Sequence, residues 1–86
     1  MSLNYKVYAL RSLITHRIYV GISGDPYRRI DDHNQGRVFS TKGYRPWKLM
    51  YLEECGSRKQ ARQREKYLKS GCGKEFFKKI IYVMPG

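Results

Sequence analysis

The residues of this chain best suited to chemistry are two tyrosines, an arginine, a histidine and a glutamate whose spacings suggest shared faces. Arg29 and His33 are four apart, so a helix would bring a phosphate-matching guanidinium and a titratable imidazole to one side. Tyr19 and Gly21 are two apart, so a strand would put a phenol and a bare backbone position on one surface. Glu65 falls on the apolar stripe that Ala61 and Leu68 define within a strongly helical stretch. A carboxylate there calls for an ion partner or a metal, because a buried unpaired charge is costly. Each residue also has a plain structural reading. Glu65 can sit at the rim of a narrow stripe, paired with Lys69 four residues on. His33 can be a satisfied helix-end residue, Arg29 one more solvated cation, and Tyr8 and Tyr19 half-buried strand aromatics.

Positioning these groups requires strands before residue 24 and helices after it. Residues 6–12 (KVYALRS) and 17–23 (RIYVGIS) are rich in β-branched and aromatic residues, and Ile18, Val20 and Ile22 alternate onto one face. The connection 13–16 is short enough for a hairpin, so antiparallel pairing is expected. Asp25 can cap a helix with Pro26 in its first turn, and Asn34, Gln35 and Gly36 can end it, which predicts a helix over 26–34 with Ile30 as an inward anchor. Residues 35–46 (QGRVFSTKGYRP) read as a basic loop, and 47–53 (WKLMYLE) as a third strand. Ser57 precedes a helix that Gly71 is expected to end, and 74–81 (KEFFKKII) predicts a short amphipathic helix. The expected fold class is α+β, a three-stranded antiparallel sheet flanked by helices, in a single domain over residues 1–86.

Eighty-six residues leave room for one small core. Eighteen Lys and Arg against seven Asp and Glu give a net charge of +11, which favours polyanions through phosphate neutralisation and counterion release. Nucleic acid is a better expectation than a membrane surface, since no long basic amphipathic helix is available, and eight Tyr with one Trp supply flat rings for sugars and bases. No apolar run approaches the roughly 20 residues of a membrane span and no leader pattern opens the chain, so a soluble, cytoplasmic protein is expected. Cys55 and Cys72, taken with His16 and His33, match neither a disulfide framework nor a zinc spacing and read as ordinary small residues.

Taken together, the positions resemble the GIY-YIG nuclease domain of intron-encoded homing endonucleases, of the bacterial excision-repair nuclease and of small stand-alone proteins. The first motif stands here as Lys6-Val7-Tyr8 and the second as Tyr19-Val20-Gly21. The string GISGDPYRRIDDHN, carrying Arg29 and His33, is similar to the family's arginine helix, and STKGYRPWKL and ARQREKYLK are similar to the stand-alone members. Lys-Val replaces Gly-Ile in the first motif, Val20 replaces Ile in the second, and no Asn follows Glu65 where some members carry one. The resemblance implies a divalent-metal-dependent endonuclease acting on nucleic acid, DNA more than RNA, with DNA repair as an associated process. It implies Glu65 as the ligand of Mg²⁺ (or Mn²⁺), Arg29 as the phosphate clamp, and Tyr8 as general base with Tyr19 and His33 orienting it or relaying its proton. A nearby arginine and metal would then have to favour the Tyr8 phenolate, whose ordinary pKa is about 10. Arg28, Arg37, Lys42 and Arg45 are expected to contact nucleic acid. The alternative, a catalytically weak nucleic-acid-binding module of the same fold, leaves Glu65 among phosphate-binding cations without a purpose. A basic RNA-associated structural protein explains the charge but not the motif spacing. Which of Tyr8, Tyr19 and His33 is the base, the oligomeric state and the choice between branched and linear substrates are open at this level.

Overall fold

The computed structural model describes residues 4–83, so the expected domain over 1–86 extends beyond the described residues at both ends. In chain order the elements are β1 (Tyr5–Ser12), β2 (Ile18–Ser23), α1 (Pro26–Asn34), a 3₁₀ turn (Lys42–Tyr44), β3 (Trp47–Gly56), α2 (Arg58–Leu68) and α3 (Gly71–Val83). The strands form one antiparallel sheet in the order β2-β1-β3, the expected α+β arrangement.

Central strand β1 buries Val7, Tyr8, Ala9 and Leu10 in succession, because the sheet is covered on both faces. Val7 and Ala9 pack with Val20, Met50, Ala61, Leu68 and Phe77, so α2 and α3 cover that face. Tyr8 and Leu10 turn the other way and pack with Trp47, Tyr19 and the α1 residue Ile30, the expected inward anchor. Register sets Tyr8 opposite Gly21 on β2 and opposite Leu52 on β3. The two helical layers therefore meet the sheet from opposite sides.

Local chemistry explains the helix starts. The Asp25 side chain accepts a hydrogen bond from the Arg28 backbone N–H, with Pro26 at the first position of α1. Ser57 and Gln60 form a reciprocal capping box at α2. Arg64 then ties α2 to β3 through Glu53, Nε to Oε2 at 3.0 Å, which fixes the rotation of the helix that carries Glu65. At the other end of α1, Asn34 donates from Nδ2 to the Trp47 carbonyl at 3.0 Å and accepts the Trp47 N–H at 2.6 Å, clamping helix to strand.

The main differences from expectation lie at the end of β3, at the end of α2 and in α3, which spans Gly71–Val83 where the sequence predicts a shorter helix over 74–81. β3 runs on to Gly56 rather than ending at Glu53, because its far end still pairs with Tyr5 and Lys6 across a register shift. Gly71 does not end α2; the helix stops at Leu68 with Lys69 as its C-cap, and Gly71 opens α3. The Lys74 N–H bonds back to the Ser70 carbonyl at 3.1 Å, so a new helix starts one residue after the old one has turned.

Candidate functional site

A cleft of about 430 Å³ opens where β2, α1 and α2 converge. β1 and β2 contribute Tyr5, Tyr8, Tyr19 and Gly21; α1 contributes Arg29; α2 contributes Arg58, Arg62 and Glu65. A larger groove of about 590 Å³ lies against Val20, Leu68 and Phe77 with lysines at its edge, but its described lining offers no carboxylate for a cation. The chemistry is concentrated in the smaller cleft.

Gly21 is the position on which the cleft floor depends. A Cβ there would stand 2.7 Å from the Tyr8 hydroxyl oxygen and 2.9 Å from Cε1 of Tyr19, distances that no real side chain tolerates. The bare backbone lets the Tyr8 phenol fold across its cross-strand partner.

Tyr8 and His33 are both buried and joined, Tyr8 Oη to His33 Nε2 at 3.1 Å. On its other side His33 Nδ1 meets Thr41 Oγ1 at 2.8 Å, and Thr41 donates its hydroxyl proton to the Val38 carbonyl at 3.3 Å. With that proton committed, Thr41 can only accept from Nδ1–H, so the neutral imidazole keeps its lone pair on Nε2 and accepts from Tyr8. Burial, followed by the Arg29 charge, pulls the His33 imidazole down to about 4 against a smaller upward pull from Asp32. The ring is therefore neutral at physiological pH. Tyr19 packs against it at a tilt of 57° with centroids 4.5 Å apart and stands 6.2 Å from the Tyr8 ring.

Burial, then the neighbouring Tyr19, pushes the Tyr8 phenol up to about 12, while Arg29 pulls the other way and loses. The arginine alone thus favours the phenolate without offsetting burial. At pH 7 a phenol of that pKa is ionised about one part in 10⁵. Arg29 itself reaches Asp32 at 3.3 Å, with its side chain 40% exposed.

Glu65 does both things its position allowed. Its Oε2 pairs with Lys69 Nζ at 3.3 Å, and the same residue lines the cleft with Tyr8, Tyr19 and Arg29. Among the described residues no group of three or more His, Cys, Asp or Glu is arranged to hold a metal. A single carboxylate nevertheless suits a hard cation such as Mg²⁺, which keeps most of its waters and takes substrate phosphate oxygens. The donor set fits that ion and does not fit zinc, whose sites need more nitrogen or sulfur ligands; Cys55 and Cys72 are free thiols.

The structure thus brings Tyr8, Tyr19, Arg29, His33 and Glu65 together and leaves the other four expected residues outside the cleft lining. Arg28 and Lys42 are exposed. Arg37 is held by Asp32 at 3.0 Å and Asp31 at 3.4 Å. Arg45 donates from Nε to the Lys42 carbonyl at 2.8 Å and lies over Gly36, bracing the loop. Sequence reasoning missed Thr41, Asn34, Arg58 and Arg62. For the two arginines a signal was present: with Glu65 they are spaced four and three apart, one face of one helix.

No helix of the described residues is long and apolar enough to cross a membrane. A family model described as the GIY-YIG catalytic domain matches residues 4–82. Two UPF0213 proteins of Pseudomonas aeruginosa, from strains UCBPP-PA14 and PAO1, are each 41% identical to the chain over 56 residues, covering 62% of this chain and 52% of theirs. The chain thus spans about half the length of these curated relatives. The solution NMR structure of a UPF0213 protein from Bacillus halodurans superposes with a TM-score of 0.53 at 29% identity, covering 90% of this chain and 84% of that one. With the motif tyrosines, arginine and glutamate around one cleft and the family model matched nearly end to end, the chain belongs to the GIY-YIG family, a family of nucleases.

Proposed function

We propose that the chain is a divalent-metal-dependent endonuclease that hydrolyses phosphodiester bonds of nucleic acid, with DNA as the expected substrate. The observation that carries this reading is that Tyr8, Arg29 and Glu65 line one cleft, with Tyr8 hydrogen-bonded at 3.1 Å to a neutral His33. Arg29 binds the phosphate and stabilises the charge that develops on it, using a fork that stays protonated. Arg58 and Arg62 add positive charge on the α2 side of the same cleft. Glu65 would hold the ion, Mg²⁺ or Mn²⁺, which when bound supplies Lewis-acid neutralisation of the phosphate.

Proton movement falls to the chain's own residues. Tyr8 takes the proton of the attacking water as its own passes to His33 Nε2. A phenol of pKa about 12 and an imidazole of about 4 both resist a stepwise transfer, so the two proton shifts have to be concerted with attack on the phosphate that Arg29 neutralises. The imidazolium gives its proton back through Tyr8 as the leaving oxygen departs. Thr41 supports the imidazolium by keeping Nδ1–H hydrogen-bonded at 2.8 Å. Tyr19 packs on the imidazole ring and keeps it turned toward Tyr8.

A second reading, a nucleic-acid-binding module without useful turnover, draws on one fact: Glu65 already has a partner in Lys69. Incubating the protein with linear, nicked, flapped and branched DNA and with RNA, with and without Mg²⁺, separates the two. Mg²⁺-dependent cleavage of at least one substrate is expected, and salt-dependent binding with no cleavage of any would favour the second reading.

A further inference from the structure

Tyr19 is shared between the catalytic cleft and a second depression of about 330 Å³, whose other walls include Arg17, Ser40, Tyr44 and Trp47. We propose that this depression receives an unpaired nucleobase of the strand whose phosphate lies in the cleft. The proposal rests on the nuclease reading for the identity of the strand.

The walls have the chemistry of a base-stacking site. Tyr19 from β2, Tyr44 from the 3₁₀ turn and the edge of the largely buried Trp47 from β3 border one space that lies at the small end of the range for ligand pockets. The Arg17 guanidinium lies 4.3 Å from the centre of the Tyr44 ring, forming a flat cationic platform beside which bases stack readily. Ser40 adds an exposed hydroxyl, and no carboxylate among the lining residues repels a polyanion.

The site is also preorganised. Trp47 Nε1–H and the Tyr44 backbone N–H both donate to the Thr41 carbonyl, at 3.0 and 3.1 Å, and the Ser12 hydroxyl donates to the Tyr44 carbonyl at 2.7 Å. The rings therefore hold their places without a ligand. Their faces do not read the hydrogen-bonding edge of a base, so the site favours unpaired over paired nucleotides with little sequence preference. The substrate class this implies is a strand that is single, flapped or frayed at the cut, since a base inside a continuous duplex cannot reach the site without being extruded.

Trp47 is the chain's single tryptophan, so its emission reports on the depression without any need for cleavage. In chelator, the full-length protein is titrated with oligothymidylate, with an abasic deoxyribose-phosphate strand of the same length and charge, and with a continuous duplex. Affinity is read by anisotropy and occupancy by Trp47 quenching. Oligothymidylate should bind roughly tenfold more tightly than the abasic strand and quench Trp47, as loss of one stacked base commonly costs about that factor. Arg17→Ala, a surface change, and Tyr44→Ala should each reduce that preference severalfold. Equal affinity and equal quenching for the base-bearing and abasic strands would overturn the proposal, as would duplex binding that quenches as strongly as the single strand. A stacking preference in a protein that cuts nothing in Mg²⁺ would sink the nuclease reading alone, and cleavage without a stacking preference would sink the subsite alone.

Discussion

Thr41→Val tests the proton relay at the point where the structure constrains it most. Valine keeps the shape of threonine and removes only the hydroxyl that accepts His33 Nδ1–H at 2.8 Å. The site is 2% exposed, so water cannot replace the lost partner freely. Leaving a buried N–H unsatisfied costs about 1–3 kcal/mol. If the imidazole moves its proton to Nε2 instead, it escapes that cost, but Tyr8 must then accept Nε2–H across the 3.1 Å bond and can no longer pass its own proton to the ring. Either outcome damages the relay. We expect the melting temperature to fall by about 10 °C, which is what some 2 kcal/mol produces in a domain of this size. Cleavage at neutral pH should fall about a hundredfold, the low end of general acid–base contributions. Thr41→Ser should restore both, since it returns the hydroxyl. The chain has two histidines, so nitrogen NMR can follow the ring of His33 against His16 directly. A Thr41→Val protein that cleaves at the wild-type rate with an unchanged His33 tautomer would refute the reasoning.

Three further outcomes are expected. Glu65→Gln keeps shape and hydrogen-bonding reach but removes the charge a hard cation requires, so Mg²⁺-dependent cleavage should drop by orders of magnitude while metal-free DNA affinity holds or tightens; wild-type rates would remove Glu65 from the metal site. Gly21→Ala places a methyl 2.7 Å from the Tyr8 hydroxyl oxygen and should cost about 1–3 kcal/mol of stability as well as activity, with an unchanged melting curve as the contrary result. His33 has its pKa lowered to about 4 from an unfolded value near 6.5, so the unfolded chain binds the extra proton in between and stability is lost as pH falls through that window, by about 3 kcal/mol at most. His33→Gln should flatten that part of the stability profile, and a slope as steep as the wild type's would show that other groups set it.

Much of this was legible because periodicity and caps carry the information locally. The alternation of Ile18, Val20 and Ile22 set the phase that puts Tyr19 and Gly21 on the opposite face, and Asp25 with Pro26 marked the start of α1. What the sequence hid depends on contacts across the fold. Asn34 reads as a helix-ending residue, yet its side chain bonds the Trp47 backbone twice, thirteen positions away. Thr41 sits in a stretch whose composition says only loop, and its partner His33 lies on α1. The burial of Tyr8 is hidden for the same reason: a cation nearby can be inferred from motif spacing, whereas the desolvation that outweighs Arg29 comes from packing against Leu10, Trp47, Tyr19 and Ile30. Gly71 misled because a glycine after a helix usually stops it, and here the turn is made at Lys69 and Ser70 instead.

The pairing of Glu65 with Lys69 decides which substitution is informative. The Lys69 side chain is 54% exposed and that of Glu65 17%, so their bond at 3.3 Å is half-exposed and, as a helical pair four residues apart, is worth about 0.3–1 kcal/mol. A bond that weak holds the carboxylate in orientation without committing it. Unit charges about 4 Å apart near a protein surface attract by about 4 kcal/mol, and a doubly charged ion by about twice that before desolvation is subtracted. The lysine is therefore displaceable, and its presence is no argument against a cation at Glu65. Substituting Lys69 leaves the carboxylate in the cleft under either reading of the site, whereas Glu65→Gln removes the one charge on which the two readings disagree.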